Sequence, residues 1–81
     1  MTKEMFTEIL ELARNEQKRQ YIRIDMKDDS WYVEFNDNRD YISHFVPWKN
    51  FLEIEMLRMS EITDRTFVSY EEIKKVSVSL D

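Results

Sequence analysis

The feature that most constrains this chain is a change in the spacing of its apolar residues near residue 20. Between residues 3 and 19 they recur with a period of about 3.6, which is typical of an amphipathic helix. From Tyr21 onward they alternate with polar residues, as in a strand that buries one face. We therefore predict an α+β fold, mainly β, in which one N-terminal helix precedes an antiparallel sheet.

The predicted helix spans residues 3–19. Thr2 is placed to cap its N-terminus, Glu4 lies in its first turn, and basic residues gather near its end, as the helix dipole favours. Its predicted buried face consists of Met5, Phe6, Ile9, Leu10, Leu12 and Ala13.

Residues 21–80 are predicted to form a strongly bent antiparallel sheet of about five strands. The first two strands are YIRIDMK and WYVEF. On their predicted buried faces lie Ile22, Ile24 and Met26 of the first strand and Trp31, Val33 and Phe35 of the second. Because the chain has no glycine, we expect Asn and Asp to form the turns, including NDNRD at 36–40.

The segment 51–59 fits both periods. Pro47 could open a helix there, but Leu52, Ile54 and Met56 also alternate strictly with glutamates. We favour a strand at 51–57 because strand-like segments lie on both sides.

Length and composition favour one small domain, residues 1–81, that needs help to stay folded. A chain of 81 residues builds only a modest core, and the absence of cysteine excludes disulfides and thiolate metal sites. Self-association is the usual remaining source of stability, so we expect a homo-oligomer. No window approaches the roughly 20 apolar residues of a membrane span. We therefore expect a cytoplasmic protein without a membrane segment.

The order of these elements resembles that of the Sm-like small β-barrels, the Hfq and Sm/LSm family. The resemblance rests on NFLEIEML followed by TFVSYEEIKKVSV, which is similar to the family's third strand, fourth strand, helical turn and fifth strand. It implies a fold of the same small-barrel type and a ring of subunits that binds RNA or a small nucleotide. It also implies that Asn50, just before the third strand, contacts a base. Tyr70 resembles the Tyr of Hfq's Tyr-Lys-His segment, although Glu71 and Glu72 follow it here.

The resemblance further implies how the ring forms, by pairing TFVSY of one subunit with KKVSVSL of the next. The residues offer a physical reason for such pairing. The stretch VSVSL has high β propensity and, beyond Lys74 and Lys75, no charge or proline that would discourage pairing with another strand.

The segment HFVPWKN gathers the only histidine, the only proline, a tryptophan and a lysine between predicted strands. Trp48 could stack on a base or anchor a partner protein, with Lys49 on a phosphate and Asn50 on a base edge. Together with Tyr70, these residues form the predicted ligand-binding set. Alternatively, Trp48 packs against the end of a small core and Pro47 fixes the turn.

No set of residues in the sequence indicates a reaction or a bound metal. His44 has no evident nucleophile or further metal ligand as partner, so we interpret it as a surface or packing residue. The acidic pairs at 53 and 55 and at 71 and 72 match no EF-hand spacing and are interpreted as solvated charge. We predict a non-enzymatic protein without catalytic residues, metal or cofactor.

Two functions from different classes remain after these exclusions. The first is the Sm-like ring that binds RNA or a small nucleotide. The second is a small acidic protein, of the kind that phages encode as inhibitors, that binds a partner protein and regulates it. The second is supported by the small size, the formal charge of -5 and the aromatic content of 14%.

Overall fold

The computed structural model describes residues 1–36 and 42–80. Within these residues, one helix, α1 (Lys3–Arg14), precedes six strands. The strands are β1 (Arg19–Met26), β2 (Trp31–Phe35), β3 (Ile42–Pro47), β4 (Leu52–Arg58), β5 (Glu61–Val68) and β6 (Ile73–Leu80). A single 3-10 turn, Tyr70–Glu72, connects the last two strands. The predicted α+β class, mainly β, is confirmed, and so is the short helical turn before the final strand.

The strands form two three-stranded antiparallel sheets, whereas the sequence predicted one bent sheet of about five strands. In the first sheet β1 lies between β2 and β6, and in the second sheet β4 lies between β3 and β5. Neighbouring β2 and β3 form no ladder within the described residues, and neither do β5 and β6. The described strands therefore do not close into a barrel.

Helix α1 ends at Arg14 rather than at Arg19 as predicted. Its N-terminus begins as expected, because the Thr2 hydroxyl accepts a hydrogen bond from the Met5 amide at 3.1 Å. Arg19 pairs with Leu80 at the start of β1, so the residues assigned to the last helical turn belong to a loop and a strand. Within residues 1–36 and 42–80, no helix is long and apolar enough to cross a membrane.

The core combines one face of α1 with the inner faces of both sheets. Phe6 of the helix packs against the rings of Phe45 and Tyr70, with ring centroids 6.3 and 5.8 Å apart. The other buried apolar side chains are Leu10, Ala13, Ile22, Ile24, Met26, Leu52, Ile54 and Ile73. The inner face predicted for β1 is confirmed, but Met5 and Leu12 of the predicted helix face are exposed.

Strand β2 buries the face opposite to the one predicted. Trp31 is exposed, whereas Glu34 is only 5% exposed. The register pairs Glu34 with Ile22 and Tyr32 with Ile24, and directly paired residues share a face of the sheet. The prediction that Trp31, Val33 and Phe35 point inward is therefore wrong.

Strand β4 resolves the segment whose sequence fits two periods. It runs over Leu52–Arg58, so the strand interpretation is confirmed. Leu52 and Ile54 on its inner face are fully buried. Glu53 between them is also buried, so the interpretation of Glu53 as solvated charge is wrong.

Among residues 1–36 and 42–80, three adopt positive φ, all of them at turns. Asp29 does so after β1, as expected for an Asp, but Met59 and Ser60 do so between β4 and β5. Left-handed backbone costs such residues roughly 1 kcal/mol each, so the β4–β5 hairpin is stabilised by its ladder and not by its turn. The turn predicted at 36–40 lies, apart from its first residue, outside the described residues.

Candidate functional site

Three of the four predicted ligand-binding residues line one open pocket of about 310 Å³. Lys49 and Asn50 belong to the loop between β3 and β4, and Tyr70 opens the 3-10 turn. We call this concavity the loop pocket. The rest of its wall comes mainly from the start of α1 and comprises Met1, Thr2, Lys3, Glu4, Ser69 and Glu71.

Tyr70 fixes the position of the β3–β4 loop. It is buried against Phe6, and its hydroxyl donates a hydrogen bond to the Trp48 carbonyl at 2.6 Å. Burial raises the pKa of the Tyr70 hydroxyl, so the group keeps its proton and remains a donor at neutral pH. The loop pocket thus has one rigid wall, built from a core residue.

The charges of the loop pocket balance. Lys3 and Lys49 supply two positive charges, and Glu4 and Glu71 supply two negative ones, in a chain whose formal charge is -5. A phosphate group can therefore contact a lysine side chain in this pocket without repulsion from an excess of negative charge. Among residues 1–36 and 42–80, no group of three or more His, Cys, Asp or Glu side chains could hold a metal ion.

Trp48, the fourth predicted residue, does not line the loop pocket. Its side chain is 50% exposed, and its indole nitrogen donates a hydrogen bond to the carboxylate of Glu53 at 2.9 Å. The same carboxylate is 3.3 Å from the Arg65 guanidinium. Since Glu53 pairs with Phe67 across the β4–β5 ladder, these groups share the outer face of the second sheet.

Trp48 belongs instead to a group of exposed aromatic side chains, the outer aromatic cluster, formed by Trp48, Phe51 and Phe67. Phe51 and Phe67 meet edge to face, with ring centroids 5.3 Å apart, and all three side chains are exposed. Sequence reasoning missed Phe51 and Phe67 as surface residues. The signal that identifies them is the β4–β5 register, which the sequence alone does not show.

His44 lies beside the buried carboxylate of Glu34, which the sequence analysis did not single out. His44 Nδ1 is 3.0 Å from Glu34 Oε1, the amide of Phe45 donates to the same oxygen at 3.1 Å, and Arg14 contacts both oxygens at 2.6 and 3.1 Å. Burial alone would raise the pKa of Glu34, but the hydrogen bonds from His44, Arg14 and the Phe45 amide lower it to about 2. This Glu34 cluster joins α1, β2 and β3.

Comparison with known proteins identifies no relative of this chain. No family model, no curated protein and no solved structure matches the chain. The resemblance to the Sm-like family therefore remains a prediction, and the function has to be argued from the chain's own surfaces.

Proposed function

We infer that this protein is a non-enzymatic subunit of a homo-oligomer that binds RNA or a small nucleotide, with its two sheets as the halves of an Sm-like small barrel. The observation that carries this proposal is that β5 and β6 are edge strands, one in each sheet. Among residues 1–36 and 42–80, β5 pairs only with β4 and β6 pairs only with β1. The other two edge strands, β2 and β3, lie next to each other. An unpaired edge is a template for pairing with another chain. The β5 and β6 edges of one subunit therefore allow each copy to bind two neighbours.

The two edges differ in charge, which favours pairing of unlike edges. Strand β5 exposes Glu61, Asp64 and Arg65, whereas β6 exposes Lys74 and Lys75. Opposite charges on facing surfaces favour association, and like charges disfavour it. Pairing β5 with β6 of the next copy is a head-to-tail contact, and such contacts form a ring when the rotation between copies closes.

An apolar groove beside β6 gives a further reason for assembly. The groove, of about 270 Å³, is lined by Ile9, Leu12, Ala13, Glu16, Val78 and Leu80. Leu12 and Leu80 are 69% and 59% exposed in the single chain. A neighbouring strand on the β6 edge would cover these side chains, at roughly 25 cal/mol for each Å² removed from water.

The loop pocket supplies the ligand site of the proposed assembly. The Asn50 amide can donate and accept hydrogen bonds at the edge of a base. Lys49 and Lys3 can contact a phosphate, and the Tyr70 hydrogen bond holds the loop in place. A ring would repeat this pocket on every subunit, so that weak contacts with one RNA act together.

The assembled mass tests the proposal. Light scattering coupled to size exclusion at micromolar concentration should give a multiple of the 10.0 kDa chain mass. Leu12→Lys and Leu80→Lys should lower the mass to that of one chain, because each places a charge in the apolar groove. Met5→Lys, at an exposed position of α1 outside the groove, is the matched control and should not change the mass. A mass near 10.0 kDa for the unaltered protein would show that it does not assemble into a ring.

A second test addresses the loop pocket. Asn50→Ala should weaken binding of adenosine or uridine monophosphate by about tenfold, because it removes the hydrogen bonds to the base edge. Asn36→Ala, at an exposed asparagine outside the pocket, is the matched control. Isothermal titration calorimetry measures both affinities. Equal affinities for the two variants would show that Asn50 does not contact the base.

The outer aromatic cluster favours a second candidate function, an acidic regulator that binds a partner protein. Exposed aromatic side chains are enriched at protein interfaces and often dominate their energetics. Here they lie on the same sheet face as Glu53 and Glu55. The carboxylates of both glutamates pair with the Arg65 guanidinium. An absorbance ratio at 260 over 280 nm well above that of protein alone would favour the nucleotide-binding proposal. A clean protein spectrum together with a monomeric mass would favour the regulator.

A further inference from the structure

The outer face of the first sheet carries aromatic and basic side chains outside the core. In β1, Ile22, Ile24 and Met26 point inward, so the alternate residues point outward. The ladders place residues of β2 and β6 opposite these outward residues and on the same face. We call this surface the first-sheet face, which includes Tyr21, Arg23, Asp25, Trp31, Phe35 and Lys75.

Two aromatic positions lie at opposite ends of the first-sheet face. Trp31 is 56% exposed, and the Arg23 guanidinium lies 4.7 Å from the centroid of its ring. Tyr21 and Phe35 meet edge to face, with ring centroids 6.1 Å apart. The strand rise separates Trp31 from Phe35 by about 13 Å. One base cannot cover both positions, but a short single strand can.

The charge of this face is opposite to that of the chain as a whole. Arg23 and Lys75 are positive, and Asp25 is the single acid among the outward-facing residues of β1, β2 and β6, all of which the structure describes. The Asp25 carboxylate is neutralised by Arg23, with a nitrogen–oxygen distance of 2.9 Å. The outer face of the second sheet instead carries Glu53 and Glu55 with one Arg65. A polyanion is therefore attracted to the first-sheet face and not to the second.

The first-sheet face is also concave. An open depression of about 470 Å³ lies between β1 and β6 and is lined by polar groups, including the hydroxyls of Ser77 and Ser79. Tyr21, Arg23, Asp25 and Lys75 border the same depression. Its wall thus offers hydrogen-bond donors and acceptors next to a ring, two cations and a carboxylate that is paired with one of them.

We propose that the first-sheet face binds single-stranded nucleic acid by stacking. Bases stack on Trp31 and the Arg23 guanidinium beside it at one end and on the Tyr21–Phe35 pair at the other, while Lys75 contacts a phosphate. A single strand fits better than a duplex, because duplex bases are already stacked on one another and one phosphate-contacting cation gives little affinity for a duplex backbone. This surface is distinct from the loop pocket, and it neither requires the ring nor is required by it.

Fluorescence anisotropy with a labelled oligouridylate of about 12 nucleotides tests the proposal, with the same strand in a duplex for comparison. The single strand should bind and the duplex should bind much more weakly. Trp31→Ala should weaken single-strand binding roughly 5-fold to 150-fold, the range for loss of one stacked base. The slope of log affinity against log salt concentration should be no steeper than about -0.7, because one cation contacts a phosphate.

Trp48→Ala is the matched control, since it removes a similarly exposed tryptophan from the β3–β4 loop, outside the first-sheet face. It should leave single-strand binding unchanged, and circular dichroism should show both variants folded. Unchanged binding by Trp31→Ala, equal binding of duplex and single strand, or no binding of the oligouridylate would each overturn the proposal.

Two further outcomes would assign the first-sheet face to another occupant and would likewise overturn the proposal. A lower assembled mass for Trp31→Ala would make it a subunit interface. Trp31-dependent binding of a purified protein without oligouridylate binding would make it a protein-docking surface. Lys75 lies both on this face and on the β6 edge of the proposed ring, whereas Trp31 lies in β2. The assembled mass of the unaltered protein and the Asn50→Ala titration do not depend on Trp31, so they separate a failure here from a failure of the proposed function.

Discussion

Glu34→Ala is expected to lower the free energy of unfolding by about 3–5 kcal/mol, the range for loss of one partner of a buried ion pair. The Glu34 carboxylate is buried and accepts hydrogen bonds from Arg14 and the Phe45 amide. The Arg19 guanidinium is largely buried and lies 4.0 Å from the Glu34 carboxylate. Removal of the carboxylate therefore leaves this buried positive charge without its nearby negative charge. Urea unfolding followed by circular dichroism measures the change.

Asp25→Ala is the matched control for this experiment. It also removes a carboxylate that is ion-paired with an arginine in the first sheet, but both partners are partly exposed. Such a pair contributes at most about 1 kcal/mol. If Glu34→Ala lowered the free energy of unfolding no more than Asp25→Ala does, the Glu34 cluster would not contribute strongly to the packing of α1 on the strands.

The same carboxylate should make stability depend on acid pH. The pKa of Glu34 is lowered from the ordinary value of 4.5 to about 2 in the folded protein. Its contribution is therefore fully present above pH 4.5 and is lost as the pH falls toward 2. The shift corresponds to about 3 kcal/mol. In Glu34→Gln this part of the pH dependence should disappear, so the stability difference between the two proteins should shrink over that range.

The spacing of apolar residues predicts the inner face of a strand correctly where only apolar residues face inward. It predicts the wrong face where a charged residue faces inward. The pattern predicts the correct inner face of β1 because Ile22, Ile24 and Met26 occupy that face. In β2 the inner face contains Glu34, while Trp31 and Phe35 lie outside, so the local pattern indicates the wrong face. A buried carboxylate becomes predictable only when its partners are known, and these come from α1 and β3, which are distant in sequence.

The candidate site was predictable only in part, for a similar reason. Lys49 and Asn50 are neighbours in the chain, and the resemblance to the Sm-like family implies Tyr70. The third wall of the loop pocket is the start of α1, and local spacing does not say where a helix packs on a sheet. The outer aromatic cluster depends on the β4–β5 register. The turn that sets this register, at Met59 and Ser60, lacks the Asn or Gly that would mark it in a sequence.

Phe6→Ala is the second substitution with a large expected effect, a loss of about 3–5 kcal/mol in the free energy of unfolding. The Phe6 side chain is fully buried between the rings of Phe45 and Tyr70. Its removal leaves a cavity where α1 meets the second sheet, and part of the ring packing is lost with it. Met5→Ala, at the neighbouring exposed position, should change stability by no more than about 0.5 kcal/mol.

The Phe6→Ala substitution should also weaken ligand binding in the loop pocket. Phe6 supports the Tyr70 ring, the Tyr70 hydroxyl holds the Trp48 carbonyl, and that carbonyl precedes Lys49 and Asn50 in the loop. Nucleotide affinity should therefore fall in Phe6→Ala at temperatures where circular dichroism shows the variant folded, and it should not fall in Met5→Ala. Phe6→Leu, which fills most of the cavity, should recover much of the stability. Intact nucleotide affinity in folded Phe6→Ala would show that the loop holds its conformation without support from α1, and the pocket would then consist of the loop residues alone.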